Sequence, residues 1–371
     1  MLNLVSPKRP LLALLERCHP IADRKSAVPM LANVLLTAEG ASLRVAATDL
    51  YLGMSGECEA DIASPGSIAL PAKDLYERVK AMSDGPIQIT ADEKAQATIK
   101  SVGNARRYTV HGVFGTDFPE MPKPAGDPLA IPVDTFAHLM ARTHYSISTD
   151  ETRAHVNSAL FEWSGNLVRM VSTDGHRLSK QEAKVDRDAV ATMLIPLKAI
   201  GELRRLMDHA KGEKAAEVLI RQSGSTAFFD VAGLRFSCKT VDASFPPYQA
   251  VLPQSPGTAV NVRRIAFMDA LKAVQIAASD RTGGVKLTLA PGKLRVTAET
   301  PDSGSAEDAI DVDHDGPEML VGMNAKYVLD VLAALDCEDV KATFCGELDP
   351  FVIEPGEGDA FVSVVMPMRV T

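Results

Sequence analysis

The chain has 371 residues, 46% hydrophobic and 23% charged, an ordinary globular composition with length for two or three domains. It has no run of about 18 apolar residues, so no segment reads as a membrane-spanning helix. A formal net charge of −9 argues against a protein that coats nucleic acid through bulk positive charge.

The N-terminal "LLALL" core is too short for a secretory leader and lies within "KRPLLALLERC". There Leu11, Leu14, Leu15 and Cys18 fall at helical spacing, which predicts an amphipathic helix. Short alternating segments follow, "NVLLTAEG" and "ASLRVAATD", which predict strands joined by glycine-containing turns. A second helix is predicted at "LPAKDLYERVKAM", and a turn-rich junction, "PEMPKPAGDP", lies near residue 125. Helix "VDTFAHLMARTHY", strand "VRMVSTD", helix "IPLKAIGELRRLM" and strands "AAEVLIRQ" and "TAFFDVAG" come next. A second junction, "LPQSPGT", lies near 255. Beyond it come helix "VRRIAFMDALKAVQIA", strand "LRVTAET" and helix "MNAKYVLDVLAAL". In the last of these Tyr327, Val328, Val331, Leu332 and Leu335 form one apolar stripe for a core.

These elements repeat. Lys73, Lys198 and Lys326 open matching helices, 125 and 128 residues apart. "LRVAATD" and "VRMVSTD" each place an aspartate 24 residues before its lysine, whereas "LRVTAET" lacks the Thr-Asp. Phe118-Pro119 recurs as Phe245-Pro246, with Met366-Pro367 in the corresponding place at the end. Three features in one order at nearly one spacing indicate a threefold repeat, with domains at 1–125, 126–255 and 256–371. Each unit holds two helices and antiparallel strands, an α+β arrangement.

Charge is distributed unevenly over this repeat. Residues 256–371 hold 10 Lys and Arg against 19 Asp and Glu, and the first 255 residues are neutral, so the final third offers an acidic surface to a basic partner. The helices nevertheless carry Lys73, Arg78 and Lys80, then Lys198, Arg204 and Arg205, with Arg17, Arg142, Arg263, Arg264 and Lys272 in the leading helices. Either these are solvated faces or they build a basic surface for a polyanion. Five scattered cysteines, odd in number and without a CxxC pair, predict reduced thiols in a cytoplasm.

The stretch "VSTDGHRLSK", residues 171–180, has the residue types of a catalytic or metal site. On a strand, Asp174 and His176 would share a face. No nucleophile stands in a Gly-x-Ser-x-Gly turn, no phosphate-cradling loop is present, and the other histidines form no ligand-spaced pair. No catalytic residue, metal or cofactor is therefore expected, although a hydrolase or metal enzyme built on Asp174 and His176 is the competing reading. Asp174 can instead cap a turn while His176 donates to backbone. The equivalent Asp49 is followed by Leu50-Tyr51, so the aspartate reads as structural in both copies and Gly175-His176-Arg177 as special to the second.

The whole chain resembles the bacterial DNA polymerase III beta subunit family, the sliding clamps. The resemblance is carried by "VPMLANVLL", "AATDL", "STDGHRLS", "SFPPYQAVLP", "NAKYVLDVL" and "VVMPMR". It implies three clamp domains per chain, two chains in a head-to-tail ring, helices inside and antiparallel sheets outside, and a processivity factor without catalysis. It implies sequence-independent binding of double-stranded DNA, with Arg24, Lys73, Lys198, Arg204 and Arg205 facing the duplex. A peptide pocket for DNA polymerases, the clamp loader and repair proteins is implied at Val156, Thr173, Gly175, His176, Arg177, Leu178, Pro246, Val251, Val364 and Met366. An adjoining groove is implied at Arg153, Asn324, Tyr327, Leu348, Pro367, Met368 and Arg369. The homodimer edge is implied at Arg106, Arg107 and Tyr108 against Ile276, Asp302, Glu307 and Asp308. Ala250, Thr282 and Ala154-His155 depart from the family pattern. A clamp-like adaptor that binds proteins but no longer encircles DNA would share most of these features.

Overall fold

A computed structural model of the chain describes residues 2–252, 257–278, 283–301, 304–356 and 358–369. Six α-helices are found among them: α1 (Lys8–Cys18), α2 (Ala72–Ala81), α3 (Val133–Thr143), α4 (Leu197–Gly212), α5 (Arg264–Val274) and α6 (Ala325–Ala334). Each repeat contributes two, as its periodicity predicts. The apolar stripes are buried: Leu11, Leu14, Leu15 and Cys18 in α1, and Val328, Val331 and Leu332 in α6. None of the described helices is long and apolar enough to cross a membrane.

Packing divides the chain into two compact units, one of Met1–Val133 with Leu206–Thr240, the other of Asp134–Arg205 with Val241–Thr371. The division splits the second repeat because strands pair across repeats. In the first unit a five-stranded antiparallel sheet runs in the order Asp61–Ser64, Leu2–Pro7, Pro86–Ala91, Gln96–Ser101, Arg107–His111. Its nine-stranded sheet has a seam where Leu52–Glu59 of the first repeat pairs with Leu234–Lys239 of the second, in a register that sets Leu52 opposite Cys238. Helix α1 packs on strand Leu52–Glu59 and against α2.

The second unit repeats the arrangement. A six-stranded sheet has its own seam, where Arg177–Pro196 of the second repeat pairs with Phe361–Val365 of the third and Arg177 stands opposite Val365. A four-stranded sheet ends on Gly304–Asp311. Helices α5 and α6 close a core that includes Phe267, Leu271, Val331, Phe344 and Phe351. Trp163, the only tryptophan, is buried in strand Ser158–Thr173 and donates its indole N–H to the carbonyls of Gly165 and Arg187.

Four arginines depart from the expectation of exposed basic helix faces: Arg17 and Arg78 are half-buried, and Arg142 and Arg264 are drawn toward α6. Arg142 is 4% exposed and pairs with Asp336 at 2.5 Å and Asp359 at 3.6 Å. Arg264 is half-buried and donates to the carbonyls of Cys337 and Leu332. Both sit within a turn of orphan carbonyls at the end of α6, where a guanidinium satisfies several acceptors at once.

Candidate functional site

The Thr-Asp turn is built by its own side chains. Thr173 Oγ1 donates to the Arg177 carbonyl at 2.6 Å and accepts from Gly175 N at 3.1 Å. Asp174 Oδ1 accepts from His176 N at 2.8 Å and Arg177 N at 3.0 Å. Gly175 adopts φ +93°, where glycine carries no Cβ penalty. The first-repeat copy makes the same bonds: Thr48 Oγ1 to the Leu52 carbonyl at 2.7 Å, and Asp49 Oδ1 from Tyr51 N at 2.8 Å and Leu52 N at 2.5 Å. Asp174 is thus a capping residue. It does not share a strand face with His176, because both lie in the turn rather than on a strand. The His176 ring stacks beside Tyr327, with centroids 6.3 Å apart, and the backbone carbonyl of His176 accepts from Met366 N at 2.8 Å.

Arg177 organises the surroundings. Its side chain is 8% exposed and donates to Asp174 Oδ2 at 3.0 Å, to Asp330 Oδ2 at 2.7 Å and to the Tyr145 carbonyl. The guanidinium also lies 4.5 Å from the Tyr327 ring centroid and 5.5 Å from that of Tyr145. Burial pushes the Tyr145 phenol up to about 12, so its hydroxyl stays protonated while accepting from Ser179. Arg153 closes the turn from outside, donating to the Asp174 carbonyl at 3.1 Å and pairing with Asp150 at 3.1 Å. Neither a general base facing a nucleophile nor a metal-ligand cluster appears among the described residues.

An apolar floor lies beside this turn. Leu178 and Val364 are buried with Leu160, Val171, Leu194 and Tyr248, and Phe245 and Leu252 pack at the edge. Val156 is buried, Pro246 is half-buried, and Val251 and Met366 stand 39% and 38% exposed. Met368 N donates to the Gly322 carbonyl, which ties the C-terminal segment beside α6. Asn324 caps that helix by accepting from Lys326 N, and Tyr327 follows it. The structure therefore gathers Thr173, Gly175, His176, Arg177, Tyr327 and Met366 around one turn. Leu348 lies on the link between strands Asp339–Phe344 and Phe351–Pro355, 66% exposed. Arg369 is exposed, and Pro367 is half-buried.

Family models describe the same chain throughout. The DNA polymerase III beta subunit N-terminal domain matches residues 2–122, the central domain 130–247 and the C-terminal domain 249–369. The chain belongs to the DNA polymerase III beta subunit family. It is 30% identical to the beta sliding clamp of Pseudomonas putida over 364 residues, 97% of either chain. The ligand-bound DNA polymerase sliding clamp of Pseudomonas aeruginosa superimposes with a TM-score of 0.94 at 27% identity, covering 100% of both chains. A C. crescentus beta sliding clamp, solved with polyethylene glycol bound to its proposed beta-motif tethering region, gives 0.93 at 28% identity, again over 100% of both. The family and the three-domain α+β clamp fold read from the sequence are borne out.

The remaining clamp-family positions lie on separate elements. In the first unit Arg24 is exposed after α1, and Lys73 is exposed on α2. In the second, Lys198, Arg204 and Arg205 are exposed on α4, with Arg205 paired to Glu202. Arg107 and Tyr108 belong to edge strand Arg107–His111, and the Arg106 guanidinium donates to the Ala81 carbonyl. Glu307 and Asp308 are exposed on edge strand Gly304–Asp311, and Ile276 is 81% exposed. Asp302 and Thr282 lie outside the described residues. Sequence reasoning missed Asp330 and Tyr145, the partners that fix Arg177. The Lys326-to-Asp330 spacing of an i,i+4 helix pair, closed here at 2.6 Å, was the available signal.

Proposed function

We propose that two copies of this chain close head to tail into a ring that encircles duplex DNA. The ring acts as a DNA polymerase processivity factor without catalysing a reaction. The observation that carries this reading is the pattern of strand seams. The strand after the turn in repeat one, Leu52–Glu59, pairs with the last strand of repeat two, Leu234–Lys239. The strand after the turn in repeat two, Arg177–Pro196, pairs with the last strand of repeat three, Phe361–Val365. Continuing the rule, Gly304–Asp311 of repeat three should pair with Arg107–His111, the last strand of repeat one apart from the two-residue Val113–Phe114. In this chain both are sheet edges, and edges invite pairing with another copy. A heterologous contact of this kind, repeated twice, closes a ring.

Charge supports the same pairing, since Arg106 and Arg107 on one edge would meet Glu307 and Asp308 on the other. Domains at 1–125, 126–255 and 256–371 then become six similar units around a hole. Arg24, Lys73, Lys198, Arg204 and Arg205 would face DNA there through loose, sequence-blind phosphate contacts. The turn around Arg177 would take short linear peptides from polymerases, the clamp loader and repair proteins. Met366 and Tyr327 give its walls an adaptable apolar surface. The five scattered cysteines, without a CxxC pair, support a cytoplasmic setting.

The test is sedimentation of the Arg106→Glu/Arg107→Glu variant, which should run as a monomer; an unchanged dimer refutes the seam. Met366→Ala should abolish binding of a Gln-Leu-type peptide and leave the dimer intact, and undiminished affinity removes the pocket assignment. After loading, retention on circular but not linearised DNA separates an encircling clamp from an adaptor.

A further inference from the structure

The two seams share more than topology. Lys239 N donates to the Tyr51 carbonyl at 2.8 Å, as Met366 N does to that of His176. With Leu52 opposite Cys238 and Arg177 opposite Val365, the registers equate Leu50 with Gly175, Tyr51 with His176, Ser237 with Val364 and Lys239 with Met366. Pro119 corresponds to Pro246 in the repeated Phe-Pro. The first unit thus carries a second copy of the turn-and-seam geometry, and beside it an open cavity of about 540 Å³ is bounded by Leu50, Tyr51, Leu52, Met121, Lys123 and Lys239, among others. Leu50 and Tyr51 are 47% and 67% exposed there, large apolar surfaces at the mouth of a cavity of ligand-binding size.

The chemistry of this copy differs from that of its counterpart. A lysine replaces methionine at the position beside the turn, and Lys123 adds a second amine. Neither forms an ion pair among the described residues; the Lys239 amine lies 5.2 Å from the Tyr51 ring centroid. Glu120 is the one acidic side chain lining the cavity, and the carboxylate of neighbouring Asp49 is engaged by backbone N–H groups of the turn. We propose that this cavity is a second peptide-docking site, selective for an acidic linear segment. An aliphatic or aromatic side chain would enter between Leu50, Leu52 and Met121, and a carboxylate would sit between Lys123 and Lys239. The Lys239 amine would exchange its ring contact for a charge-assisted hydrogen bond. Gly53 allows the close lid: a Cβ there would stand 2.7 Å from the Met121 methyl, so Met121 lies directly over the seam strand.

The proposal rests on the peptide-pocket reading of the Arg177 turn, and one experiment reads both sites. The dimeric protein carrying 13C-methyl methionine is titrated with the peptide Ac-Asp-Glu-Leu-Phe-Asp, with its Asn/Gln counterpart, and separately with a Gln-Leu peptide. The Met121 resonance is identified by Met121→Leu, and that of Met366 by Met366→Leu. The acidic peptide should shift Met121 saturably below about 1 mM, and the neutral peptide should bind roughly tenfold more weakly. Lys239→Glu should abolish the shift, and Lys239→Gln, which keeps side-chain bulk, should weaken it by about tenfold. A Met121 methyl unmoved by the acidic peptide overturns the proposal, as does a shift unchanged in both Lys239 variants. A Met366 methyl that ignores the Gln-Leu peptide instead overturns the reading of the Arg177 turn, and the Met121 result stands apart from it.

Discussion

Replacing Arg177 with methionine tests whether one guanidinium holds the candidate site together. Removing one partner of a buried ion pair typically costs about 3–5 kcal/mol, because a charge is left uncompensated. Here the two carboxylates keep other partners. Asp174 retains the N–H groups of His176 and Arg177, and Asp330 retains Lys326 at 2.6 Å with 26% of its side chain exposed. The full penalty therefore does not apply. Losing the donor to the Tyr145 carbonyl adds about 1 kcal/mol, and the methionine stem keeps part of the stacking on Tyr327. The expected loss is about 2–3 kcal/mol. Urea unfolding followed by Trp163 fluorescence measures it in the relevant unit, since this single tryptophan is 1% exposed there. With Arg177→Met already in place, adding Asp330→Leu should cost roughly 1 kcal/mol less than it does in the unaltered protein, because the pair the two residues share is already gone. A loss below about 0.5 kcal/mol, or no coupling between the two sites, would refute the hub.

The paired turns predict a reciprocal exchange. Leu50 holds φ +76°, and a non-glycine residue there costs about 1–3 kcal/mol, so Leu50→Gly should raise thermal stability while Gly175→Leu lowers it. A Cβ at Gly175 meets only Arg153 Nη1 at 3.7 Å, so the second effect would be torsional rather than steric; equal melting temperatures for all three proteins would contradict it. Acid should weaken the second unit through His144, whose folded pKa is lowered by burial first and by Arg204 second. A lowered folded value means the unfolded chain binds the proton more readily. Stability from this residue is complete above the ordinary value near 6.5 and is lost as pH falls below it, toward the lowered folded pKa. His144→Gln should flatten that part of the Trp163-monitored stability profile, and an unchanged slope would remove the assignment.

Local periodicity made the helices legible, because burial of one stripe leaves a spacing in the chain. Leu11, Leu14, Leu15 and Cys18 are all buried as that spacing requires. The structural role of Asp174 was legible too, because a second copy of the turn existed for comparison. Arg142 was misread from the same periodicity. Its position on α3 says nothing about the orphan carbonyl of Ala334 or about Asp336 and Asp359, which lie far along the chain and draw it inward. The Arg177 contacts with Asp330 and Tyr145 are of the same kind, with partners 153 and 32 residues away along the chain. The seams themselves are long-range pairings, and no window of sequence carries their register.

The third repeat shows why that register matters. Thr48 pairs with Gly53 and Thr173 with Leu178, so each of the first two turns inserts four residues between paired positions. Thr300 pairs with Gly304, which leaves three. The aspartate-capped turn needs a carboxylate at its first position and two N–H groups beyond it, and the residue after Thr300 is Pro301 rather than an aspartate. Thr300 Oγ1 also reaches the Ala277 carbonyl, donating to it at 3.3 Å. The strand that follows, Gly304–Asp311, is the one whose proposed partner lies on another copy of the chain. The Thr-Asp sequence is thus present in the two repeats whose following strand is paired within the chain and missing from the third, whose closure would need a second molecule. On this reasoning the proposed dimer would carry peptide sites at its intrachain seams and would keep its subunit seams for strand and charge pairing. Arg106→Glu/Arg107→Glu should therefore leave both methionine-reported sites, Met121 and Met366, responsive in the monomer; a site lost together with the dimer would place it at the subunit contact instead.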